Sequence, residues 1–559
     1  MLEGKVIEFP GRQWKRDEVA CKLEQAKKAL AEGSSEAEVS SQLGVPRTTL
    51  RYWLSRKAHL DGSENAAEFF ESPDGVALLH RIVMAIPFTG MYSAQGIRGI
   101  GAALELAGLS RLVASSYGAQ QQVATPIEEQ WVAFGERHLG IPKEALARGP
   151  KRRISLVEDE NFHSKPCLVG IEPVSDFIVL ETYAEKRDAA TWNVELKKAL
   201  GGLNVEVVQS TSDEARGILA PVREELGAHH SPDLFPIQRD LARGIFPGLG
   251  REINKARTKP EAAAKVTALR KKIVGETNNS PNLQRYLAEA QQQEAATAQA
   301  VDQLEALRTQ ARESLAEIST VYHPYTLSNG QERTVESVGR ELGGCMDRLR
   351  GIVVDLGLGE HALNSIDKAR RLLPSLLATL TFVFTFILAR VDELDLSGEV
   401  KRALRYPLIP AFYLHSAAAK APCAAQRPAI DAVAMDLLTV WRSPDNPFSS
   451  LDSKTLGNIE RVARECANIL QRSSSCVEGR NGYLAFNHHL LHNIRPRKLR
   501  ALTVVHNYYR YNGPTPAEQF FGVPHEELFT WLADHVDLPA RPALKRPRPL
   551  APSLFAAAA

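Results

Sequence analysis

Across residues 33–57 the apolar positions fall at helical steps on either side of Gly44-Val45, a pattern that predicts helix, turn, helix. Ser35 is placed to cap the first helix, which runs to Leu43, and Pro46 lies in the first turn of the second. Val39, Leu43, Leu50 and Trp53 then face one another, which leaves Arg47, Thr48, Thr49, Arg51 and Tyr52 on the outside. Those are residue types that contact base edges and phosphates. A plain helical hairpin has the same spacing and stands as the alternative. Helical periodicity continues over residues 66–147, with a second helix-turn-helix-like unit expected at 100–115 around Gly108-Leu109-Ser110.

After Gly149-Pro150 the period changes. Residues 153–158, 167–172 and 177–181 are apolar runs of strand length separated by hairpin-length turns. A helix follows at 188–200, and a fourth strand at 205–210 runs into Thr211-Ser212-Asp213. This order makes an α/β unit in which the first and fourth strands can lie side by side. Residues 214–226 read as helix, 228–235 as extended, and the chain from Ile237 to residue 472 as almost wholly helical. Within 288–320 the stripe Val301, Leu304, Ala311, Leu315 and Ile318 predicts a helix long enough for a coiled-coil-like hairpin. The apolar stretch 372–389 holds Pro374, Ser375 and three threonines and reads as a buried helix rather than a membrane span.

Composition narrows this picture in two ways. A chain of 559 residues exceeds one hydrophobic core, so several folded units are expected. The net charge of +2 neither requires nor excludes a nucleic-acid partner, so any basic surface must be local. The six cysteines are dispersed without a Cys-x-x-Cys pair, and the N-terminus is polar, which together point to a cytoplasmic protein without a structural zinc site. Residues 539–559 are rich in Pro, Arg and Ala, the composition of a disordered tail.

The candidate chemistry is acidic. Asp159 is read at the end of the first strand and Asp213 directly after the fourth. If those strands are neighbours, the two carboxylates project from one edge, close enough to share divalent cations. A third acid is supplied by Glu478: Val477, Leu484 and Leu491 repeat every seven residues and make one apolar helix face, with Glu478, Asn481, Ala485, His489 and His492 along an adjoining one. That face carries an acid beside the metals and polar groups fit for a DNA backbone, with Arg480 expected to serve there too.

These segments resemble bacterial insertion-sequence transposases with a ribonuclease-H-like DDE catalytic domain. Asp159-Glu160-Asn161-Phe162 is similar to the first-acid motif, and residues 208–217 around Asp213 to the second. Glu478-Gly479-Arg480-Asn481, continuing through 501–507 to 515–521, is similar to the third-acid helix and its trailing region. The resemblance implies two Mg²⁺ or Mn²⁺ ions held by Asp159, Asp213 and Glu478, cleavage at transposon ends, and strand transfer into target DNA by a homodimer assembled on double-stranded DNA. One departure is Asp233-Leu234-Phe235-Pro236, with Pro where related transposases carry His. The expected fold is therefore multidomain, α plus α/β: a helix-turn-helix domain (1–60), a second helical domain (61–150), a ribonuclease-H-like core in two parts (151–250 and 473–525) interrupted by an all-helical insertion (251–472), and a C-terminal segment (526–559). The alternatives are a catalytically inactive or domesticated DNA-binding protein on the same fold, and a structure-selective nuclease.

Overall fold

The structure is a computed structural model, and it describes residues 14–541 except 56–63, 94, 148–150, 164, 213–221, 223–225, 277–279, 422, 473, 492 and 540. Helices α1 (Arg16–Ala31), α2 (Glu36–Leu43) and α3 (Arg47–Ser55) enclose a small core of Val19, Leu23, Ala26, Val39, Val45, Leu50 and Trp53. Ser35 and Glu38 form a capping box at the start of α2, satisfying backbone N–H groups that the helix leaves unpaired. Gly44 at φ 62° then reverses the chain into α3, a conformation that favours glycine. The predicted helix-turn-helix is present, with α1 packed in front of it.

Four further helices follow: α4 (Glu64–Phe70), α5 (Pro73–Tyr92), α6 (Ile97–Leu106) and α7 (Tyr117–Ala147). The second helix-turn-helix-like unit does not form as expected. Gly108 makes a left-handed turn, but only one 3-10 turn, Leu109–Arg111, follows it before α7. Leu109 and Val113 are drawn into the core beneath α5 and α7, so residues 109–115 do not extend as a second helix.

One mixed sheet organises the middle of the chain. Its strands are β1 (Arg152–Phe162), β2 (Pro166–Glu172), β3 (Phe177–Tyr183), β4 (Val205–Ser212) and β5 (His229–Pro232), in the order β3-β2-β1-β4-β5. β1 pairs antiparallel with β2 and parallel with β4, as the crossover helix α8 (Ala189–Leu200) allows. The expected adjacency of the first and fourth strands is therefore observed. The expected helix at 214–226 lies almost entirely outside the described residues.

From β5 the chain enters helices α9 (Leu234–Glu276), α10 (Pro281–Val321), α11 (Val335–Asp355), α12 (Glu360–Asp392), α13 (Gly398–Ala403), α14 (Ile409–Lys420), α15 (Gln426–Arg442) and α16 (Ser453–Asn468). They share the largest core, to which Ala311 and Ile318 of the predicted stripe contribute fully and Leu304 and Leu315 partly. α12 is buried on one face only: Leu376, Leu380, Val383 and Ile387 are inside, while Ala378, Thr381, Thr385 and Leu388 are exposed. By length and composition α5 and α12 are each apolar enough to cross a membrane. The chain closes with α17 (Ser475–Leu491), α18 (Pro496–Tyr508), α19 (Pro516–Phe521) and α20 (Leu528–His535).

The sheet is covered on both faces, and this positions the site. Ile154 and Leu156 join a core with Trp131, Phe134, Trp192 and Leu196, from α7 and α8. On the other face Val157, Val169 and Ile171 pack against Val477 and Leu484 of α17 and Leu499 and Leu502 of α18. Each such aliphatic side chain contributes about 1.5–3 kcal/mol by burial, so α17 is fastened to the sheet at the level of Asp159.

Candidate functional site

The acidic end of β1 remains inside the strand. Because β2 supplies hydrogen-bonding partners as far as Phe162 opposite Pro166, Asp159 sits in the ladder opposite Val169 and not at the strand's end, which corrects the sequence reading. Strand alternation then separates the three acids. Asp159 shares the face of Val157, under α17. Glu158 and Glu160 lie on the face of Leu156, where Glu160 accepts a hydrogen bond from Trp192 Nε1 at 2.9 Å and faces Arg187 at 3.5 Å.

Asp159 is half-buried and held at both oxygens. Its Oδ1 accepts from the backbone N–H of Glu160 at 2.8 Å, and its Oδ2 accepts from Asn481 Nδ2 at 2.8 Å. Asn161, two residues along the same face, donates to the carbonyl of Asn481 at 3.1 Å. Two side-chain amides thus tie β1 to α17. The remaining Asn481 oxygen, Oδ1, is buried without a hydrogen-bond partner.

Glu478 lies one turn before Asn481 on α17 and is also half-buried. Burial and then the neighbouring Asp233 carboxylate raise its pKa above the ordinary glutamate value, while the Arg239 guanidinium opposes them. Asp233 follows β5 directly and is itself buried. Its Oδ1 accepts from Phe235 N at 2.8 Å, and its Oδ2 accepts from Ser474 N at 3.1 Å and from the Ser474 hydroxyl. One carboxylate therefore joins the starts of α9 and α17, and its own N–H reaches back to Ser212 O at 3.3 Å. The sequence signal for this was the Asp in Asp233-Leu234-Phe235-Pro236, but nothing local indicated its partner at Ser474.

Asp213 lies outside the described residues. Among the described residues no three of His, Cys, Asp and Glu are close enough to hold a metal ion. The oxygens of Asp159 and Glu478 and the unpartnered Asn481 Oδ1 are hard donors of the kind Mg²⁺ prefers. Completing a three-acid set requires a further carboxylate, and Asp213 is the next residue in the chain after Ser212, which ends β4.

Arg480 requires a correction. It was expected to face DNA, yet it is buried on the sheet side of α17, where its guanidinium makes a two-pronged ion pair with Glu181 at 2.7 Å and 2.7 Å. Thr503 adds a hydrogen bond to the same carboxylate at 2.6 Å. The helical step explains the placement: Arg480 is three residues after Val477 and four before Leu484, on the apolar stripe itself. His489 is exposed as expected, and His492 lies outside the described residues. His488 accepts or donates with Tyr183 OH at 2.7 Å and stacks on His163 at 3.9 Å. Burial first, and then His163, push its pKa down to about 4.

In the N-terminal unit Arg47, Thr48, Arg51 and Tyr52 are exposed and Thr49 is half-buried. Both arginines engage one carboxylate, Glu36, at 3.3 Å and 2.6 Å. Arg51 in particular holds the Glu36 carboxyl below the ordinary glutamate value.

A family described as "Family of unknown function (DUF6399)" matches residues 404–548, a span that includes α17, with Glu478, and the helices after it. No curated protein matches the chain.

Proposed function

We propose that this chain is a DNA transposase of the DDE type, with a ribonuclease-H-like catalytic core, that binds element ends through its N-terminal helix-turn-helix and carries out metal-dependent strand cleavage and strand transfer. The observation that carries this reading is the tie between Asp159, on the central strand of a β3-β2-β1-β4-β5 sheet, and Asn481, one turn from Glu478 on the helix that covers that strand. Asp159, Asp213 and Glu478 would hold Mg²⁺ or Mn²⁺, which when bound activates an attacking hydroxyl and stabilises the leaving oxygen of a phosphodiester. Asn481 orients the Asp159 carboxylate through its amide N–H. Asp233 fixes the first turn of α17 and so the height of Glu478 above the sheet. Burial beside Asp233 disfavours a charged Glu478, and a bound cation would offset that cost.

Exposed Arg47, Thr48, Arg51 and Tyr52 support double-stranded DNA as the partner, with a homodimer on DNA and a cytoplasmic location following from the same reading. The second reading is a catalytically inactive DNA-binding protein on this fold, and it is favoured by Pro236 where related transposases carry His. Cleavage of a labelled duplex carrying the element's terminal repeat separates the two. Asp159→Ala, Asp213→Ala and Glu478→Ala should each abolish Mg²⁺-dependent cleavage while retaining binding. Full cleavage by Glu478→Ala would remove Glu478 from the site, and a wild-type protein that binds without cutting would favour the second reading.

A further inference from the structure

The helices α9 and α17 start side by side from one joint. Leu234 N donates to Arg472 O at 3.0 Å, and the Asp233 carboxylate accepts from Phe235 N at 2.8 Å and from Ser474 N at 3.1 Å. From there Glu478 stands in the first turn of α17 and Arg239 in the second turn of α9. The two side chains are near enough for the Arg239 guanidinium to lower the Glu478 pKa against the opposing effects of burial and Asp233.

Packing decides which face of α9 stays open. Ile237, Leu241 and Ile245 are buried, and Gln238 donates to Leu315 O of α10 at 2.9 Å. Gly244 approaches α12 so closely that a Cβ there would collide with Ser365. The ridge left outward carries Phe235, Arg239 and Arg243 at steps of four, all three exposed. The Arg239 guanidinium lies over the Phe235 ring, 5.8 Å from its centroid, a contact that holds the charge in place without neutralising it. Neither arginine has an ion-pair partner among the described residues. Other cations around the acids are committed: Lys368 is held by Asp240 at 2.6 Å, Arg187 faces Glu160, and Arg480 is buried on Glu181.

Two uncommitted guanidinium groups one turn apart, beside a half-buried acid, suit an anion with repeated charges. Their planar forks match phosphate oxygens, and a spacing of about 5–6 Å between Cβ atoms lets them reach neighbouring phosphates of one strand. A cation bound at Glu478 would repel Arg239 unless an anion arrived with it. We propose that Arg239 and Arg243 bind consecutive backbone phosphates of the DNA strand that lies across the acids, with Arg239 on the phosphate nearer Glu478. These roles rest on the transposase reading of the site, and they supply there the phosphate contacts that Arg480, turned into the core, does not make.

Fluorescence anisotropy of the full chain on a labelled duplex of mixed sequence, with Ca²⁺ in place of Mg²⁺, tests this without requiring cleavage. Arg239→Gln combined with Arg243→Gln should make the slope of log affinity against log salt shallower by about 1.8, so that affinity falls roughly tenfold less than in the wild type between about 50 and 200 mM salt. The melting temperature should not change, because both side chains are exposed. Arg239→Lys combined with Arg243→Lys should keep the wild-type slope. Lys265→Gln combined with Lys271→Gln removes the same charge from exposed positions farther along α9 and should leave the slope unaltered. A wild-type slope in the double-glutamine arginine variant, or an equal loss in the lysine pair, overturns these contacts and leaves the transposase reading standing. A wild type that binds no duplex overturns both. The expected loss of slope in a protein that does not cut DNA in Mg²⁺ upholds the contacts and overturns the catalytic reading alone.

Discussion

Glu158→Gln should stabilise the protein at neutral pH and remove a pH dependence of its unfolding. Glu158 is wholly buried on the face of β1 opposite Asp159, with one oxygen accepting from the Ser210 hydroxyl and the other, Oε1, without a partner. Burial pushes its pKa up to about 8, with the Ser210 hydrogen bond pulling the other way. The folded state therefore binds this proton more tightly than the unfolded chain does. The stability that this affinity confers is fully present below the unfolded pKa of 4.5, and it declines as pH rises toward about 8. The slope is about 1.4 kcal/mol per pH unit, so roughly 3 kcal/mol is lost between pH 4.5 and pH 7. Glutamine keeps the shape and the acceptor for Ser210 without a proton to lose. Thermal melts of wild type and Glu158→Gln from pH 4.5 to 8 should coincide at the acid end and diverge steadily above it, with the variant higher. Parallel curves would show that Glu158 does not change its protonation across this range, and that the inference from its burial is wrong.

Three other perturbations test particular contacts. Arg480→Ala strands the Glu181 carboxylate in the core and should cost about 3–5 kcal/mol in urea unfolding, whereas replacing the pair with Met and Leu should come close to neutral; a single-variant cost under about 1 kcal/mol would contradict the buried pair. Asn481→Ala removes the hydrogen bond to Asp159, worth about 1.5–3 kcal/mol for a charged acceptor, and should raise the Mg²⁺ concentration needed for half-maximal cleavage while leaving DNA affinity unchanged. Glu36→Ala releases Arg47 and Arg51 and should tighten binding to duplex DNA with a steeper salt dependence, as measured by fluorescence anisotropy; weaker binding would assign Glu36 to holding the two arginines in their DNA-contacting pose.

Much of the architecture was legible in the residues because it depends on neighbours in sequence. The capping box at Ser35, the turn at Gly44, the helical stripe through Ala311 and Ile318 and the four apolar runs of the sheet are set within a few residues of chain, where periodicity and backbone sterics act. What lies across the chain was not legible. The run that seemed to end at its acids continues to Phe162 because β2 pairs with it, and only that pairing puts Asp159 mid-strand.

Arg480 shows the same limit in electrostatic terms. Its helix position lies on the apolar stripe, but a buried arginine is tolerated only beside a counter-charge, and Glu181 stands 299 residues away in sequence. The joint made by Asp233 between the starts of α9 and α17 is likewise a contact over 241 residues. The sequence by itself determined the elements and which face of each is apolar, because those follow from local periodicity. Only the tertiary structure decided which charges are buried, paired or shared, because a charge's free energy depends on partners and solvent that the fold alone brings to it.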